Sequence, residues 1–167
     1  MTNDIIKTAA AVYMDTSSLM LKINFINFLK VYVKERQLII PGCVRDQLVK
    51  LSREDSQKGK QAQEALEIID ELYKHCFYLE QTGDLRPAQF FIRKAEERKN
   101  GLPILVVTQS ADLAYALNIR RAKGYGVAIK RLTADGFPAN FDHSKLPPSL
   151  TVLSRKTNAS DVIKNLI

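Results

Sequence analysis

Cysteine and histidine are scarce in this chain: Cys43, Cys76, His75 and His143 are the whole supply among 167 residues. The two cysteines have no CxxC spacing. That leaves no plausible zinc constellation, and both thiols read as buried or idle. Long apolar runs are missing as well, since no segment approaches the roughly 18 uninterrupted apolar residues of a membrane span. The first residues lack the basic-then-apolar pattern of a signal peptide. The expectation is a soluble intracellular protein, cytoplasmic or nuclear, with no membrane partner. No internal repeat is visible.

Acidic residues are the minority, 18 against 25 lysines and arginines, which leaves a formal charge of +7. A sustained positive field favours polyanionic partners such as nucleic acid or an acidic protein. With 46% hydrophobic residues the chain can bury one full core and is too short for two comfortable domains. We expect one domain over residues 1–148, followed by a C-terminal strand and tail over 149–167.

Short apolar, β-prone runs alternate with amphipathic stretches. Residues 9–14 read as a buried strand, and residues 19–36 as a helix carrying Leu21, Phe25, Phe28, Leu29 and Tyr32 at helical intervals. LIIPG, residues 38–42, reads as a second strand stopped by Pro41, with a helix after it. The polar run 52–61 reads as an exposed loop, and 61–76 as a helix. A short strand at 77–79 precedes a helix over 87–99 that opens on Pro87. The strongest strand signal is 102–110, followed by a helix closed by Gly124 and a strand within YGVAIKRL. A last strand is expected at 150–153. Such alternation predicts an α/β protein, a three-layer α/β/α sandwich around a mostly parallel sheet.

In a sheet of this kind the carboxyl ends of the central strands face the functional crevice. The residues there are Asp15 to Ser18 after the first strand, the segment after LIIPG, and TQSAD after the fourth. Asp15 reads there either as a ligand or as a helix cap, because a side-chain acceptor suits the free N–H groups of a helix start. Ser110 is a good cap, and Asp112 falls in a first helical turn, where negative charge is favourable. Basic residues form two clusters. Arg93, Lys94, Arg98 and Lys99 are diluted by Glu96 and Glu97, whereas Arg120, Arg121, Lys123, Lys130 and Arg131 have no acid along their run and include Tyr125, which can stack on a base.

Three segments, VYMDTSSLM, LIIPGCVRDQL and ILVVTQSADLAYAL, occur in an order that resembles the PIN domain family of metal-dependent nucleases over roughly residues 10–132. The resemblance implies a PIN-like fold, action on RNA, and carboxylates converging on magnesium or manganese. Asp15 matches the family's first acid. Gln47 stands where the second would be a glutamate, Asp84 lies a turn before the place of the third, near Ala88, and Ser110 occupies the fourth. Asp15 and Asp112 remain as the candidate catalytic and metal-binding pair, with Thr16, Ser17, Gln47, Asp84, Thr108 and Ser110 lining the site.

Two carboxylates make a weak site for a hard divalent ion. The resemblance therefore implies first a degenerate member that binds RNA or a ribonucleoprotein with weak or no cleavage, and needs no metal. An active endoribonuclease using Mg²⁺ or Mn²⁺, completed by Asp84, Asp46 or Asp135 and similar to the small PIN toxins, is a second reading. A protein-interaction module that recruits a protein partner is a third.

Overall fold

Three apolar residues, Val12–Met14, form strand β1, and all three are buried. Burial on both faces is what a central strand of a covered parallel sheet requires, and it explains a run without polar alternation. The computed structural model describes residues 2–32, 38–72, 77–98 and 101–141. Helix α1 (Thr2–Thr8) precedes β1, and α2 (Thr16–Leu19) and α3 (Lys22–Tyr32) follow it. Strand β2 (Leu38–Pro41), the helices α4 (Gly42–Ser52) and α5 (Gln57–Leu72), and strand β3 (Phe77–Glu80) come next. Helix α6 (Pro87–Glu96), β4 (Ile104–Val107), α7 (Ala111–Ala122), β5 (Val127–Leu132) and β6 (Pro138–Ala139) complete the described chain.

The six strands lie in the order β3-β2-β1-β4-β5-β6. The first five are parallel, and only β6 runs against its neighbour. The chain builds outward from β1 through β2 to β3, then starts again on the other side of β1 with β4. The order thus reverses between β1 and β4, and such a switch point opens a crevice at the carboxyl ends of the two strands.

Register assigns the layers. Tyr13 is opposite Ile39, so these two share one face, while Phe77, opposite Leu38, takes the other. Phe90 and Phe91 of α6 pack edge-on against Tyr13, and α7 packs on α6. On the opposite face Phe25 of α3 meets Phe77, and α3 contacts α5. The sheet is therefore sandwiched between helices, as the α/β/α reading expects. Phe25, Phe28, Phe77 and Phe91 are the largest fully buried side chains, and each removes several kcal/mol of apolar surface from water on the usual scale of about 25 cal/mol per Å².

Several boundaries differ from the sequence reading. The expected helix 19–36 is α3 and starts only at Lys22, because Asp15 caps a separate short turn, α2, just before it. Residues 57–61, read as loop, are the first turns of α5, whose polar opening hides a helix that becomes amphipathic only from Ala62. Helix α1 and strand β6 have no counterpart in that reading. The expected strand at 150–153, the tail, the helix ends at 33–36, 73–76 and 99, and the boundary at 148 lie outside the described residues.

One polar clasp crosses the sheet face under α6. The Tyr13 hydroxyl donates to Glu80 Oε1 at 3.1 Å, and Glu80 Oε2 pairs with Lys94 Nζ at 3.1 Å. Burial, followed by the negative charge of Glu80, pushes the Tyr13 phenol well above its ordinary value. Tyr13→Phe is expected to lower stability by about 1 kcal/mol, the net value of one hydrogen bond, since Glu80 keeps Lys94. Urea unfolding midpoints measure this, and an unchanged midpoint would remove the clasp from any account of how β1 is tied to β3.

Candidate functional site

At the switch point the chain leaves β1 through Asp15 and β4 through Thr108. Asp15 has extended backbone and serves as the N-cap of α2, its Oδ1 accepting from the Ser18 amide at 3.0 Å. The Ser17 hydroxyl sits within 2.8 and 2.9 Å of the two carboxylate oxygens. From across the crevice the Thr108 hydroxyl donates to Oδ2 at 2.5 Å. Thr108 Oγ1 in turn accepts from the Ser110 amide at 3.0 Å, and Ser17 Oγ accepts from the Gln109 amide at 2.9 Å. The carboxylate is thus the knot that ties the end of β1 to the end of β4.

Asp15 is only 6% exposed, and burial pushes its carboxyl above the ordinary carboxylate range. Donation from Thr108, Ser17 and Ser18 opposes that shift without cancelling it. The neighbouring Thr16 hydroxyl donates to Gln47 Oε1 at 2.5 Å, which joins α2 to α4 and turns the Gln47 amide nitrogen away from Thr16.

These groups open onto a cleft of about 520 Å³ lined by Asp15, Thr16, Ser17, Gln47 and Ser110. Its walls are apolar, with Met20, Leu51, Pro87 and Leu113 among them, and Lys58 and Gln61 of α5 close one side. Lys58 lay in the polar run read as an exposed loop and Gln61 at the expected helix start, so the sequence reading placed neither in the cleft. The apolar walls had no separate signal, since a leucine on a helix reads as core whether it faces a cleft or not.

The remaining expected site residues fall elsewhere. Thr108 is fully buried behind Asp15, touching the site through its hydroxyl. Asp112 is exposed in the first turn of α7 and is not among the residues lining the cleft. Asp84 is exposed in the turn after β3, beside Gly83 at φ +60°, and does not line the cleft either. Asp46, a proposed substitute ligand, is exposed on α4. Its neighbour Arg45 pairs with Asp70 at 3.3 Å. Asp135 is exposed in the β5–β6 turn.

A resident Mg²⁺ or Mn²⁺ does not fit this donor set. Such ions take several oxygen ligands, and among the described residues Asp15 is the one carboxylate lining the cleft, with both oxygens already accepting hydrogen bonds. Among the described residues no group of three His, Cys, Asp or Glu side chains converges.

The second basic cluster also divides. Arg120 was expected to be free of acids, but its side chain is 12% exposed and its Nε donates to Glu96 at 3.0 Å, because α6 packs against α7 and brings that carboxylate to it. Arg121, Lys130 and Arg131 keep their charge uncompensated among the described residues, as does exposed Lys123 on the turn after α7. No helix among the described residues is long and apolar enough to cross a membrane. No protein-family model matches the chain, and no curated protein matches its sequence.

Proposed function

We propose that the chain is a PIN-like domain that binds single-stranded RNA, alone or within a ribonucleoprotein, without cleaving it through a metal ion of its own. The observation that carries this reading is the cleft at the β1/β4 switch point: its sole lining carboxylate among the described residues, Asp15, is buried and accepts from Ser17, Ser18 and Thr108. Such a carboxylate shapes the cleft and leaves little free lone pair for a cation. Apolar walls and the Gln47 and Gln61 amides suit a base, and Lys58 at the rim suits a phosphate. The formal charge of +7 supports a polyanionic partner.

Fluorescence anisotropy with a labelled oligouridine, run across salt and in Mg²⁺ or Mn²⁺ with a parallel gel, tests the reading. If Arg121, Lys123, Lys130 and Arg131 each meet a phosphate, a single strand loses about 50-fold in affinity between roughly 50 and 200 mM salt, a slope of about −2.8. The RNA stays intact in either metal. Metal-dependent cleavage abolished by Asp15→Asn would replace this reading with an active nuclease. Affinity absent at every salt concentration would leave a protein-interaction module.

A further inference from the structure

Helix α7 has a second stripe, made of residues other than those that line the cleft. Ala114, Asn118 and Arg121 recur at four- and three-residue spacing, so they share one side of the helix, while Ser110 and Leu113 line the cleft. That stripe meets Ile129 and Lys130 of β5, and Phe141 after β6, around a separate pocket of about 330 Å³. The size is at the lower end of the range, about 300–1,000 Å³, in which small-ligand sites fall.

Two features set this pocket apart from an ordinary basic surface. Its cations are held by neutral amides: Asn118 Oδ1 accepts from Nε and Nη2 of Arg121 at 3.0 and 2.8 Å, and Asn140 Oδ1 accepts from Lys130 Nζ. An amide acceptor orients a cation without cancelling its charge, whereas the adjacent Arg120 is neutralised by Glu96. Among the described residues no acid lines the pocket. The floor, by contrast, is apolar, made by Ala114 and Ile129, and Phe141 adds an aromatic ring.

We infer that this pocket takes one nucleotide of a single-stranded RNA, with its phosphate between Arg121 and Lys130 and its base against Phe141 and the apolar floor. Fixed cations beside an aromatic ring answer both halves of a nucleotide, the anion and the π face. A phosphorylated side chain of a protein would use the cations and leave the ring and floor idle. Exposed Lys123 and Arg131 flank the same elements and offer contacts for neighbouring phosphates. The inference rests on the RNA-binding reading and deepens it, by placing the contact at a pocket that shares no lining residue with the Asp15 cleft.

The test uses the full chain and the double variant Arg121→Gln with Lys130→Gln, with Lys22→Gln on α3 as a control that matches each single variant in charge. Oligouridine affinity of the double variant should fall about tenfold, and its salt slope should shrink by about 1.4, at about 0.7 per lost contact to a single strand. Lys22→Gln should lose neither beyond a small general effect. Each single variant should give about half the slope change, which keeps the test open if the double variant folds poorly. An amide-resolved NMR titration with AMP alone should shift Ala128 and Ile129 in the wild type and not in the double variant. Wild-type RNA binding whose slope the double variant leaves unchanged overturns the pocket and spares the RNA reading. Absent oligouridine binding with retained AMP shifts sinks the RNA reading and supports the pocket as a nucleotide site. A phosphoserine peptide that displaces AMP at lower concentration overturns the nucleotide assignment.

Discussion

Asp15→Ala is expected to destabilise the domain by about 3–4 kcal/mol. The change removes the N-cap of α2, worth about 1 kcal/mol, and strips the acceptor from the buried Ser18 amide and from the Thr108 and Ser17 hydroxyls. A buried donor left unpaired costs about 1–3 kcal/mol, and the two hydroxyls recover part of that by rotating. Asp15→Asn is expected to cost about 1 kcal/mol or less near neutral pH. It keeps an oxygen for the Ser18 amide and no longer buries a charge.

The pH dependence separates the two effects. The Asp15 carboxyl is raised in the folded state above its ordinary 3.8 by burial. Between that value and the folded one the native state binds more protons than the unfolded state, so stability is full below the ordinary value and falls as pH rises through the window. Asp15→Asn lacks this titration, so its deficit against the wild type should be largest in acid and shrink as pH increases. Urea unfolding at several pH values measures both. An alanine variant within about 1 kcal/mol of wild type would mean that Asp15 does not tie β1 to β4.

The central strands were legible because their apolar runs are short, uninterrupted and separated by helical periodicity, as Val12–Met14 and Ile104–Val107 illustrate. Pro87 and Gly124 marked a helix start and a helix end through local backbone chemistry. The meeting of Asp15 with Thr108, 93 residues apart, follows from the strand order, whereas alternation alone pointed to three strand ends without saying which two adjoin. What could not be read was anything set by helix packing. Glu96 reaches Arg120 only because α6 lies on α7, and Lys58 reaches the cleft only because α5 begins in a polar stretch without apolar periodicity. Asp112 shows the converse, since a first-turn aspartate has the same local signature whether its carboxylate faces a cleft or water.

The β5–β6 hairpin holds the second large expectation, Gly136→Ala, at about 3 kcal/mol. Gly136 has φ +85°, where a side chain is strained by roughly 1 kcal/mol. A Cβ there would also lie 2.3 Å from the Phe28 amide nitrogen and 2.5 Å from the Asn27 carbonyl carbon, both backbone atoms of α3 that have no rotamer to yield. Forcing atoms into packed backbone costs about 1–3 kcal/mol more. The hairpin cannot simply lift away, because Asn24 and Asn27 donate to the Leu132 and Ala134 carbonyls at 3.2 and 2.9 Å. Gly83→Ala is the matched comparison, since Gly83 also has a positive φ, +60°, with nothing within 4 Å of its would-be Cβ. It should cost about 1 kcal/mol, the conformational part alone. The difference between the two urea midpoints then isolates the close approach of the hairpin to α3, and equal midpoints would show that the approach is looser than the geometry requires. Because Asn140 and Phe141 follow this hairpin, Gly136→Ala should also weaken RNA binding through the α7–β5 pocket, while Gly83→Ala leaves it intact.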